Sequence, residues 1–207
     1  MRRHRTEAGG LRRAVPGAAR ALALLGFLGL AGCAVPEDPA ARALAERPPI
    51  DAVLARLPAQ AAGFERGAVQ DVAPGDPAAG KVVEYATPRR IAVAYVFLYD
   101  MGRPSVAPAD LGPEAERAVS EATALPADRT GRQLSVASRA PLAAAGGDLS
   151  CAVLAGTFGR TLVERQVCLG LAGGRFLRMQ VTMPSRGAPV ADAQAFAREV
   201  AEAARRG

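Results

Sequence analysis

The chain has 207 residues, half of them apolar, and its 26 Lys and Arg against 20 Asp and Glu give a formal charge of +6 that at first suggests a nucleic-acid or acidic-membrane partner. Six arginines and one glutamate fall within residues 1–32, so that segment holds five of the six net charges and residues 33–207 are nearly neutral. The remainder lacks the concentration of cations that phosphate binding needs, which argues against nucleic acid, and it lacks histidine because His4 is the only one, which excludes Ser-His-Asp, Cys-His and His-ligated metal chemistry there.

At the N-terminus a basic stretch precedes the apolar run Ala21–Ala31, and Gly32-Cys33 closes it. This is the n-region and short h-region of a secretory signal, spanning residues 1–32. As a helix the apolar run would reach roughly 17 Å, well short of the roughly 30 Å hydrocarbon core of a bilayer. Leu30-Ala31-Gly32-Cys33 resembles the lipobox of bacterial lipoproteins. The resemblance implies recognition of Leu30, Ala31 and Gly32 by the dedicated signal peptidase, cleavage before Cys33, and a diacylglyceryl thioether on the Cys33 sulfur, with fatty acyl chains such as palmitate. It thereby implies a covalent lipid attachment to a membrane of the bacterial envelope, facing the periplasm. Ala34 stands where an inner-membrane retention signal typically places Asp, so by the same resemblance the outer membrane is favoured over the inner.

Residues 33–49 then read as the lipidated cysteine and a tether rich in Pro and Ala, and residues 50–207 as a single domain. A short helix is expected over Asp51–Leu57, stopped by Pro58. Strands are expected over Gly67–Val72, Lys81–Ala86 and Ile91–Tyr99, the last apolar on both alternating faces and so expected to be covered on both sides. The period changes at Pro113–Leu125, where Pro113, Glu114 and Glu116 suit a first helical turn and Ala115, Val119, Ala122 and Leu125 share a face. Four more strands follow: Arg132–Ser138, Ser150–Phe158, Thr161–Leu171 and Arg175–Met183. Asp192 is placed to cap a final helix to about Arg206 that buries Phe196, Val200 and Ala203, with Arg205 and Arg206 complementing its C-terminal dipole. The fold class is therefore α+β, a mainly antiparallel sheet of about six to seven strands with a mid-chain helix and a C-terminal helix packed on it. In this order of elements the domain resembles the PsbP-like and related α+β lipoprotein domains, a likeness of architecture that assigns no functional residue.

Gly159-Arg160 fits a two-residue type II′ turn, which wants Gly at its first central position. Counting back from that turn brings Cys151 opposite Cys168 as a non-hydrogen-bonded pair, within reach of a disulfide in an oxidising compartment. For the next hairpin a three-residue loop Ala172-Gly173-Gly174 is expected, because it pairs Leu169 with Leu177, Val167 with Met179 and Val163 with Met183 on one apolar face. The bridge would then clasp the more polar face, outside the main core.

Lipid and disulfide account for all three cysteines, and no cofactor or metal is implied. Asp100, Glu84 and Glu164 are the strand-associated carboxylates, expected to be solvated rather than catalytic. Gly170–Gly174 lies between strands and reads as a turn, not a phosphate loop, and Arg89-Arg90 as a solvated turn. The leading functional reading is a lipid-anchored, non-catalytic accessory or binding module of the periplasm, with an envelope protein as a possible partner. The alternative is a hydrolase-type enzyme working with carboxylate, Ser, Tyr or Arg side chains.

Overall fold

The computed structural model describes residues 46–124 and 131–206 together with Arg42, so Leu30–Cys33 and Leu125 lie outside the described residues. The domain is α+β, but its antiparallel sheet has eight strands, not six or seven: β1 (Gln60–Ala61), β2 (Phe64–Asp71), β3 (Lys81–Ala86), β4 (Val93–Tyr99), β5 (Arg132–Leu142), β6 (Leu149–Phe158), β7 (Thr161–Ala172) and β8 (Arg175–Pro184). Among the described residues three α-helices are delimited beside it, α1 (Ile50–Ala55), α2 (Leu111–Thr123) and α3 (Ala193–Arg205). The sheet order is β1-β2-β3-β4-β8-β7-β6-β5. The first four strands meander to the middle of the sheet, α2 links β4 to the far edge, and β5 to β8 meander back until β8 lies beside β4. The added strand is β1, two residues that fold back on β2 through Ala62 and Gly63, both at positive φ.

Helices α1 and α3 cover one face of the sheet and α2 covers part of the other. On the first face Val83, Tyr85, Ala94, Val96, Leu98, Leu177, Met179 and Val181 meet Val53 and Leu54 of α1 and the apolar stripe of α3. Asp192 caps α3 as its sequence suggests, accepting from the N–H groups of Gln194 and Ala195 at 2.9 Å each. Phe196 is fully buried, its ring 4.8 Å from that of Phe64 and 5.2 Å from that of Tyr85. Burial of such a side chain contributes about 1.5–3 kcal/mol. Arg205 does more than complement the helix dipole: its guanidinium donates to the carbonyls of Leu171, Ala145 and Gly147 at 2.9, 2.8 and 2.6 Å. Gly170 leaves room for it, since a Cβ there would lie 2.5 Å from Leu149 Cδ2 and 2.8 Å from Arg205 Nη2.

The second hairpin of the β6–β8 meander departs from expectation. Gly173 and Gly174 alone form the turn, at φ 55° and 69°, and pair Ala172 with Arg175 and Cys168 with Met179. Two successive positive φ values are those of a type I′ turn, whose twist suits a two-residue hairpin. The three-residue loop would gather the large apolar side chains of β7 and β8 on one face. The structure has no need of that, because helices cover both faces. Leu177, Met179 and Val181 turn to the first face, while Val167, Leu169 and Leu171 turn to the second. Strand β4 is covered less completely than its composition suggests, since Tyr95 is 39% exposed on the second face.

Tyr85 adds a pH dependence. Its hydroxyl donates to the Pro58 carbonyl at 2.8 Å, and burial pushes the phenol up to about 12. The unfolded phenol ionises near ~10, so the folded state resists a deprotonation that the unfolded chain accepts. The contribution of this group is intact below ~10 and is lost as pH rises through the folded value. Urea midpoints should therefore fall between about pH 10 and about pH 12, less steeply in Tyr85→Phe. An identical slope in that variant would contradict the assignment.

Candidate functional site

The second face carries the site. Leu111, Ala115 and Val119 recur at four-residue intervals along α2 and form one wall of a cleft of about 390 Å³. Its floor is Ala152 of β6 with Val167 and Leu169 of β7, and Arg139, Asp148 and Ser150 bring polar groups to the lining. The floor residues are turned this way by the short register of the two hairpins, which pairs Ala152 with Val167 across the strands. The volume falls within the roughly 300–1,000 Å³ of small-molecule sites, and an apolar body with a few polar groups is their usual make-up.

A set of arginine–carboxylate contacts holds α2 over the sheet. Glu114 is 3% exposed and is the acceptor for the Tyr99 hydroxyl and for both Nε and Nη2 of Arg117, the Nε at 2.7 Å. Burial first, and then the Glu114 hydrogen bond, pushes the Tyr99 phenol well above its ordinary range. Arg178 of β8 donates to Glu121 at 2.8 Å and lies 4.4 Å from the Phe97 ring centroid. Its Nε is buried without a partner among the described residues. Glu116 pairs with Arg139 on the edge strand. These contacts keep the helix fixed along its length, so the cleft beside it is pre-formed.

The carboxylates singled out in the sequence do not converge. Asp100, expected at a solvated surface, is 9% exposed and sits between two arginines: Arg47 Nη2 lies 2.8 Å and Arg175 Nε 3.6 Å from its Oδ2. Arg175 also donates to the Pro48 carbonyl at 2.7 Å, so this cluster fastens residues 47–48 to the sheet. Burial, and then the neighbouring Arg47, depresses the Arg175 guanidinium, while Asp100 opposes that shift. Glu84 pairs with Arg90 of the β3–β4 turn at 2.6 Å, and Arg89 is exposed there. Glu164 alone opens into a cleft, on the first face. Among the described residues no three His, Cys, Asp or Glu side chains gather as a metal site would require.

The disulfide forms where the register places it. Cys151 pairs with Cys168 across β6 and β7 with Cα atoms 4.1 Å apart, and Gly159 takes φ 57° at the head of the turn. Its setting differs from expectation, because Cys168 is 1% exposed within the main core of the first face. Residues on the second face that sequence reasoning passed over are Tyr99, Glu114, Arg117 and Arg178. Glu114 had one visible signal: it shares a helical face with Ala118 and Ala122, both buried.

No protein-family model matches this chain, and no curated protein matches it.

Proposed function

We propose that the protein is an envelope lipoprotein whose domain is a non-catalytic binding module, taking the apolar part of a small amphipathic ligand into the cleft between α2 and the sheet. The observation that carries the reading is that cleft, a pre-formed apolar concavity of about 390 Å³ beside a helix tied to the sheet through Glu114, Glu116 and Glu121. Binding is favoured over catalysis because the buried carboxylates are occupied: Glu114 is engaged by Arg117 and Tyr99, and Asp100 by Arg47 and Arg175. An acid or base at work needs a lone pair or proton free to reach substrate.

Anchoring follows from Leu30-Ala31-Gly32-Cys33. Acyl chains on Cys33 supply about 0.8 kcal/mol per buried CH₂, and two or three chains exceed what stable attachment requires. The tether that begins at Cys33 and ends before Arg47, which is fastened to the sheet, then holds the domain off the lipid surface on the periplasmic side, with Ala34 favouring the outer membrane. Cys33→Ser should abolish incorporation of a fatty acid analogue during metabolic labelling and leave uncleaved precursor. Incorporation that persists in this variant would sink the lipoprotein reading.

A further inference from the structure

Residues 33–207 are nearly neutral in sum, but the loops that follow the strands differ in sign between the two ends of the sheet. At the end where Arg47 fastens the chain, loops 72–80, 100–110, 143–148 and 173–174 carry Asp76, Asp100, Asp110 and Asp148 against Arg103 alone. At the other end, loops 62–63, 87–92, 159–160 and 185–192 carry Arg89, Arg90, Arg160 and Arg186, and their one acid, Asp192, is engaged as the α3 cap. Three of these loops are neighbours. Val93 pairs with Thr182, and the Ser185 N–H donates to the Leu162 carbonyl at 3.1 Å, so the turns after β3, β6 and β8 lie side by side.

The side chains of Arg89, Arg160 and Arg186 are exposed and have no ion-pair or hydrogen-bond partner among the described residues. Arg89 and Arg90 also hold φ 62° and 54°, a region that glycine fills more readily than a long side chain. Arg90 reaches Glu84 from there, but no contact of its own side chain offsets that conformation at Arg89. Beside the arginines Ile91 is 49% exposed, the most open of the large apolar side chains, and Leu162 is exposed as well. A soluble polyanion would use the cations and gain nothing from the two apolar side chains, whereas a bilayer interface accepts both. The length of the chain allows such a contact. The ten residues of β8 span roughly 33 Å, and the twelve residues 34–45 extend to at most roughly 43 Å. A chain fixed at Cys33 is thus long enough for the far end of the sheet to meet the same lipid surface, a point that rests on the lipoprotein reading; the placement of charge and apolar groups does not.

We infer that the turns after β3, β6 and β8 dock the domain on an anionic phospholipid surface, their arginines meeting headgroup phosphates while Ile91 and Leu162 enter the interface. Co-sedimentation with vesicles tests this on the chain lacking residues 1–33, which keeps every element described above and does not depend on lipid at Cys33. Binding is expected to vesicles of phosphatidylglycerol and phosphatidylcholine in equal parts, weakening as salt is added, and not to phosphatidylcholine alone. Arg160→Ala and Arg89→Gly should each weaken partitioning by about fivefold, the share of one arginine near an anionic leaflet. Arg89→Gly should do so without lowering the urea midpoint, because glycine relieves the positive φ. Ile91→Ser should also weaken binding, whereas Arg206→Ala, which removes the same charge from the opposite end, should leave it unchanged. No binding to anionic vesicles, equal binding to both kinds, full binding in Arg89→Gly and Arg160→Ala, or an equal loss in Arg206→Ala would each overturn the inference. So would undiminished binding in Ile91→Ser, the behaviour of a site for a soluble polyanion.

Discussion

Asp100→Ala is expected to destabilise the domain by about 3–5 kcal/mol, the cost of removing one partner from a buried ion pair. Asp100 Oδ2 faces Arg47 at 2.8 Å and Arg175 Nε at 3.6 Å, and all three side chains are at most 12% exposed. Its other oxygen accepts from the Gly102 N–H at 2.9 Å, so the substitution also releases the turn after β4. Two guanidiniums would be left together in a poorly hydrated position, where burial and then the Arg47 charge already depress Arg175 and nothing would offset them. Arg47→Ala should cost much less, because Asp100 keeps Arg175 and the vacated side chain lies at the chain's entry to the domain. Asp100→Ala combined with Arg47→Ala should recover part of the loss by removing one of the stranded cations. Urea unfolding of the four proteins measures this. A loss below about 1 kcal/mol in Asp100→Ala would mean that the cluster is hydrated and contributes as a surface pair does.

Loss of the disulfide is the second large effect. Cys151 and Cys168 are 17 residues apart, and closing a loop of that length lowers the entropy of the unfolded chain by about 3 kcal/mol at ambient temperature, less whatever the local hairpin already supplies. Either cysteine changed to Ala forfeits the whole of that term, and changing the second as well should add little of it. The core setting of Cys168 makes the two variants unequal. Cys168→Ala also opens space in the main core and removes the acceptor for Gln166 Nε2, so it should exceed Cys151→Ala by about 1 kcal/mol. Equal midpoints for oxidised and reduced wild-type protein would show that the bridge adds nothing to stability.

How much of this was legible depended on whether the information was local. β3 runs over Lys81–Ala86 as its alternation and flanking Pro and Gly imply, and the Cys151–Cys168 register follows from one glycine in one turn. The β7–β8 register departs from the sequence expectation for a physical reason. Alternation tells which residues share a face, but the assignment of faces to core or solvent depends on where distant helices pack. With α2 on one side and α3 on the other, the large apolar side chains of β7 and β8 can divide between faces at no cost. Arg178 illustrates the point: a charged side chain on the second face, it lies over Phe97 and reaches Glu121. Helix α2 begins at Leu111 and not at Pro113, because the short 3₁₀ turn Pro108–Asp110 leads directly into it. The cleft could not be read from the sequence at all, since its wall comes from residues 111–119 and its floor from residues 152–169, stretches joined only by the tertiary fold.

Titration of a neutral apolar fluorophore, N-phenyl-1-naphthylamine, into a chain lacking residues 1–33 tests the proposed apolar cleft between α2 and the sheet. The chain contains no tryptophan, so the dye's emission is free of that background. A saturable one-to-one rise in emission is expected, and Ala115→Phe, which places a ring in the cleft from the half-buried face of α2, should abolish it while leaving the urea midpoint within about 1 kcal/mol of wild type. Emission that rises without saturation, or a wild-type titration reproduced by Ala115→Phe, would contradict the assignment of this cleft as the binding site.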